Sequence, residues 1–175
     1  MEDECHLLWG DTLGYVWGKR NKKIDIPVVN ERERQTYYGA VNCFTGDFHV
    51  MHFSSGNGEN TVEYVKHLQT ILGNKKILLI WDGASYHRYS AMQEYLQIIN
   101  KNLSPENWQI TCVLFAPNAP EQNPVEDIWL LAKNNIRKFF IENKTFAQVK
   151  KSFLSFLKSR IFFFPKIQMY RDFIL

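Results

Sequence analysis

Two short apolar runs constrain this chain more than any other feature: Lys76-Ile-Leu-Leu-Ile-Trp81 and Ile110-Thr-Cys-Val-Leu-Phe115. Each is continuous rather than alternating, so each reads as a strand buried on both faces of a sheet. Gly83-Ala-Ser-Tyr-His87 turns out of the first, a helix runs to about Ile99, and Pro105 breaks the chain before the second. Both runs lead to a carboxylate. Asp82 follows the first directly, and the second passes through Asn118-Ala-Pro-Glu-Gln-Asn-Pro124 into a helix that carries Glu126 in its first turn. Carboxylates that converge at strand ends are the arrangement that holds divalent cations for phosphoryl transfer.

The other elements follow from local patterns. Strands are expected at about residues 3–9, 14–19, 36–43 and 47–53, where aromatic and β-branched residues lie between turn residues. Phe44-Thr-Gly-Asp47 reads as the hairpin turn between the last two. Asn60 and Glu63 form a capping-box pattern for a helix over 60–72, with Val62, Val65, Leu68 and Leu72 on one face. Asn123 reads as the next cap, with Pro124 at the first helical position, where a missing N–H costs nothing. Thr145 and Gln148 repeat the capping box ahead of Phe146, Val149, Phe153 and Phe156, and an aromatic tail from Phe162 packs on the body. Strands first, then helices alternating with strands, give an α/β fold. The expectation is a ribonuclease H-like mixed five-stranded sheet, antiparallel at one side and parallel at the other, with helices on both faces.

Composition narrows the class. At 175 residues the chain suits a single domain spanning 1–175. No apolar run approaches the roughly 18 residues of a membrane helix, and the acidic start Met-Glu-Asp-Glu is unlike a secretory signal. Cys5, Cys43 and Cys112 are widely spaced and odd in number, which points to a reducing, cytoplasmic setting. Charge is uneven. Residues 1–130 hold 11 Lys/Arg against 16 Asp/Glu, net −5, while residues 131–175 hold 10 against 2, net +8. A basic C-terminal quarter is either a footprint for a polyanion or a solvated helix face. His49, His52 and His67 lack zinc-site spacing.

Taken singly, the acids have plain explanations. Glu126 lies three residues after the Asn123 cap, where a glutamate completes a capping box without any catalytic role. Asp82 before Gly83 suits the start of a turn. The larger motifs favour chemistry. Trp81-Asp-Gly-Ala-Ser-Tyr-His87 and Ala119-Pro-Glu-Gln-Asn-Pro-Val-Glu-Asp-Ile-Trp129, followed by Lys133, resemble the second and third signature blocks of mariner-like insertion-sequence transposases, in the DDE transposase class. Asp3-Glu4 ahead of Trp17, and Tyr38-Gly-Ala40, resemble the first block and the strand after it; the likeness runs from Glu2 to about Phe140.

That resemblance implies catalytic, metal-holding roles for Asp3, Asp82 and Glu126 around two divalent cations, Mg²⁺ or Mn²⁺. It implies DNA as partner, both transposon ends and target, with a homodimer as one assembly, and a prokaryotic, nucleoid-associated setting. His87, Lys133 and Arg137 stand where contacts to DNA phosphates are expected. Asp11 competes with Asp3 as first acid but reads as a turn residue; Glu4 alternates to the other strand face, and Asp127 points about 100° round the helix from Glu126. Full-length members carry helix-turn-helix DNA-binding modules before the catalytic core, and these are expected to be absent here. Two functions follow: a metal-dependent DNA strand-cleavage and strand-transfer core, or a catalytically silent truncated remnant that binds DNA or intact transposase.

Overall fold

The computed structural model describes residues 1–13, 17–22, 32–84, 90–117, 119–158 and 160–174. Strands β1 (Glu2–Leu8), β2 (Arg34–Val41) and β3 (Phe48–Phe53) form an antiparallel sheet in that order. Asn42 shapes the β2–β3 turn: its side-chain oxygen accepts from the Phe44 and Thr45 amides, and Gly46 takes φ +75°. Helix α1 (Gly58–Ile71) follows, then β4 (Ile77–Trp81), α2 (Ser90–Ile99) and β5 (Ile110–Leu114). β4 and β5 pair in parallel, from Ile77 opposite Ile110 to Trp81 opposite Leu114. Helices α3 (Pro124–Lys138), α4 (Phe146–Lys158) and α5 (Pro165–Ile174) complete the chain.

Alternation in β2 sends side chains to two cores. Tyr37 packs with Trp129, Val149, Phe153 and Ile167 from α3, α4 and α5. Its neighbour Tyr38 packs with Tyr64, Leu68 and Met92 from α1 and α2, together with Leu79 and Trp81 of β4. Helices therefore cover both faces, as the element order implies.

Four expectations are corrected. Among the described residues the strands form a sheet of three and a sheet of two, not one sheet of five. β1 and β4 run side by side, yet no ladder joins them; an apolar run identifies a strand but not its hydrogen-bonded neighbour. β4 and β5 are also less enclosed than their composition implies. Leu79 and Trp81 are buried, whereas Leu78, Val113 and Leu114 are exposed. The strand expected at 14–19 does not form over residues 17–19, and residues 14–16 lie outside the described residues. A 3-10 turn over Trp9–Thr12 intervenes, closed on itself by the Leu8 amide donating to Asp11 Oδ2 (2.9 Å) and Thr12 Oγ1 donating to the Trp9 carbonyl (2.8 Å). Helix α1 starts earlier than Asn60, because Asn57 takes the cap and accepts the Asn60 amide at 2.8 Å.

The other caps stand where expected. Asn123 Oδ1 accepts from the Val125 amide with Pro124 at the first position of α3. Thr145 and Gln148 exchange side-chain and backbone bonds ahead of α4. No helix among the described residues is long and apolar enough to cross a membrane.

Candidate active site

Three acids from distant parts of the chain line one cleft of about 340 Å³. Asp3 comes from β1, opposite Gly39 of β2. Asp82 directly follows β4, and its Oδ1 accepts from the Ala84 amide at 2.9 Å, a short turn that fixes the carboxylate at the strand end. Glu126 stands at the third position of α3, where the helix N-terminus favours an anion. Phe115, Ala116 and Asn123 complete much of the wall.

Burial separates the acids. Asp3 is 7% exposed, and Asp82 and Glu126 are exposed. Loss of water, reinforced by the charges of Glu126, Glu4 and Asp82, pushes the Asp3 carboxyl up to about 8. Glu126 is also raised, first by partial desolvation, then by Asp82 and Asp127, while Lys133 pulls it back. Carboxylates that raise one another's proton affinity mark concentrated negative charge, which a divalent cation neutralises.

The donor set suits a hard cation, since all three acids offer oxygen. As the side chains stand, however, no three His, Cys, Asp or Glu residues among those described are gathered closely enough to hold one ion.

The remaining candidates lie elsewhere. Lys133 Nζ pairs with Asp11 Oδ2 at 3.3 Å, and Arg137 Nε donates to the Asp11 carbonyl at 3.1 Å. Both cations thus brace the Trp9–Thr12 turn against α3, and Asp11 is absorbed in that brace rather than in the cleft. Asp127 pairs with Lys166 of α5 at 2.5 Å. His87 lies outside the described residues.

Two contacts were not anticipated. Trp129 Nε1 donates to Asp3 Oδ2 at 3.1 Å, and Asn123 Nδ2 donates to the Glu2 carbonyl at 3.0 Å. The signal for the first was present, because a buried tryptophan needs a partner for its N–H. The partner is 126 residues away, and no local pattern names it.

Comparison with known proteins now decides the family. The profile of the DDE superfamily endonucleases matches residues 1–148. The chain belongs to the DDE endonuclease superfamily. Among solved structures it is similar to the Mos1 transposase paired-end complex with left transposon end, at TM-score 0.61 and 11% identity over 96% of this chain and 49% of that one. It is also similar to the Mos1 strand transfer complex, at TM-score 0.57 and 13% identity over 91% and 46%. This DDE chain therefore shares a fold with those transposases and spans about half their length. No curated protein matches it by sequence.

Proposed function

We propose that this DDE chain is a transposase catalytic domain that cleaves DNA and transfers the cut strand to a target, using Asp3, Asp82 and Glu126. The observation that carries the reading is the convergence of those three acids, from β1, the end of β4 and the first turn of α3, on one cleft. The ribonuclease H-like architecture is part of the same reading, with β1 and β4 as the junction between the antiparallel and parallel strands.

Asp82, on the open rim, and Asp3, on the buried wall, would hold a pair of divalent cations with Glu126, presenting carboxylate oxygens from three directions. When bound, Mg²⁺ or Mn²⁺ activates an attacking oxygen and stabilises the leaving oxygen in an in-line displacement at phosphorus. Asp82 is oriented by the Ala84 amide, and Glu126 by its place in a capped helix. Asp3 lies on the buried wall of the cleft, where burial keeps its proton in the metal-free chain and a cation would displace it. No covalent protein nucleophile is needed: water makes the first cut, and the freed 3′-hydroxyl attacks the target.

DNA is the partner, with a second copy of the chain in a pair that brings two ends together. Lys133, Arg137 and, by its place after Asp82, His87 would contact phosphates beside the cut. The test is nicking of supercoiled DNA in Mg²⁺ or Mn²⁺. Activity should vanish without the metal and in Asp82→Ala and Glu126→Ala; variants as active as the parent chain would remove the reading.

One observation favours a second reading, a silent remnant that binds DNA or intact transposase. The acids are not gathered around a single point as they stand. That reading expects no cleavage with any divalent metal, but salt-sensitive DNA binding by the basic residues 131–175.

A further inference from the structure

The Asp3 carboxylate is nearly buried, and the group that meets it is the indole of Trp129. Trp129 is 3% exposed, with its carbon face packed edge-on to Phe48 at 5.3 Å between centroids and stacked near Phe153 at 6.0 Å. Its single polar atom points to Asp3 Oδ2. The approach depends on Gly39, the residue paired with Asp3 across the sheet. A Cβ at Gly39 would stand 2.5 Å from the Trp129 ring, so the absence of a side chain there lets the indole cross the sheet to the acid. Asn123, at the start of the same helix, binds the backbone of the adjacent Glu2. Helix α3 thus grips two consecutive residues of β1 and carries Glu126 between the two grips.

We propose that Trp129 is a positioning residue for metal binding: its indole N–H holds one oxygen of Asp3 so that the carboxylate presents its remaining acceptor sites to the cleft. This rests on the metal-dependent reading above and adds a residue to it. A carboxylate has about four lone-pair sites; the indole N–H and the Glu4 backbone N–H occupy two, leaving capacity for a cation. Two packed aromatic neighbours hold the donor ring, so the hydrogen bond fixes the acid instead of following it. Asp3 has one face to the indole and one to the cleft that also contains Asp82 and Glu126.

A core tryptophan that merely satisfies its own N–H would contribute to folding alone, and metal affinity separates the two roles. Mn²⁺ binding to the whole chain, without DNA, is measured by electron paramagnetic resonance of the free ion. Partners that orient metal ligands typically contribute roughly 10- to 100-fold in affinity, so Trp129→Phe should weaken Mn²⁺ binding about tenfold or more with the circular dichroism of the fold retained. Leu68→Ala, in the other core, keeps both the indole N–H and the packing that holds it; it should lower the melting temperature and leave Mn²⁺ affinity within about twofold. In the Asp3→Ala background, which removes the acceptor, Trp129→Phe should cause no further loss of the affinity that Asp82 and Glu126 retain, because the coupling runs through one carboxylate. Should Trp129→Phe fail to fold, benzothienylalanine at position 129 replaces only the N–H by sulfur and tests the same bond.

Wild-type affinity in either position-129 variant overturns the proposal, as do independent, multiplying effects of the Asp3 and Trp129 changes. Binding that is lost in Asp82→Ala but intact in Trp129→Phe overturns the positioning role alone. A parent chain that binds no Mn²⁺ overturns the metal-dependent reading and this inference with it.

Discussion

Asp3→Asn should make the metal-free chain more stable near neutral pH while weakening its hold on metal. In the folded chain, burial and the neighbouring acids push the Asp3 carboxyl from 3.8 up to about 8. The unfolded chain has no such burial and releases the proton near the ordinary value. Between about pH 4 and pH 8 the folded state therefore holds a proton that the unfolded state has lost. The stability contributed by Asp3 is full at the acid end of that window and falls as pH rises. One proton corresponds to at most about 1.4 kcal/mol per pH unit, so a rise from about pH 5.5 to 7.5 should cost on the order of 2 kcal/mol. The asparagine amide remains neutral throughout, and its carbonyl oxygen still accepts the Trp129 N–H. Urea melts in a chelator at the two pH values, for parent and variant, provide the comparison. Glu126, also raised, contributes to both proteins with the same sign, and His49, lowered by burial, contributes with the opposite one. The difference between the two slopes therefore isolates Asp3. Adding Mn²⁺ should restore the parent at the higher pH and stabilise the variant much less. A parent whose stability is flat over this range, or a variant as steep as the parent, refutes the account of Asp3 as a buried acid awaiting a cation.

Gly39→Ala places a methyl group 2.4 Å from the Phe48 ring and about 2.5 Å from Trp129, on a strand with no room to retreat; a loss of roughly 1–3 kcal/mol or more in chemical denaturation is expected. Lys133→Ala and Arg137→Ala remove a partly exposed brace to the Trp9–Thr12 turn, and the Lys133–Asp11 pair should account for no more than about 1 kcal/mol of stability. If these cations also reach phosphate, each variant should reduce the salt slope of DNA binding by about one; an unchanged slope assigns them to the brace alone.

What could be read before the structure depended on how local each cause is. The Asn123 cap with Pro124 behind it, and the reciprocal Thr145–Gln148 box, are decided within a few residues, and both form as the pattern implies. At α1 the same logic chose the wrong asparagine. Asn57 and Asn60 compete for one role, and the Asn57 side chain captures the Asn60 amide. Of the strand expected at 14–19, the described residues 17–19 are not extended into one, and the turn ahead of them closes on its own side chains, through Asp11 and Thr12. Whether strands join into one sheet is further from local control, because pairing of β1 with β4 depends on how every intervening element packs.

The site divides along the same line. Asp82 and Glu126 were legible because each stands where an element begins or ends, and element ends are punctuated by glycine, proline and caps. Asp3 was legible only as one acid among several at the start of the chain, and its distinction from Asp11 is tertiary. Asp11 is drawn into a salt bridge with Lys133, whereas Asp3 is buried against Trp129. Asn-Pro-Val-Glu-Asp-Ile-Trp, read linearly, is a cap, a helix start and an acid. Folded, its first residue grips the backbone of Glu2, its glutamate faces the cleft, and its last holds the carboxylate of Asp3. A segment of this kind is constrained at three positions by one task, the placement of α3 on β1. The spacing of Asn123, Glu126 and Trp129 therefore belongs to the geometry of the acids as much as to the helix that carries them.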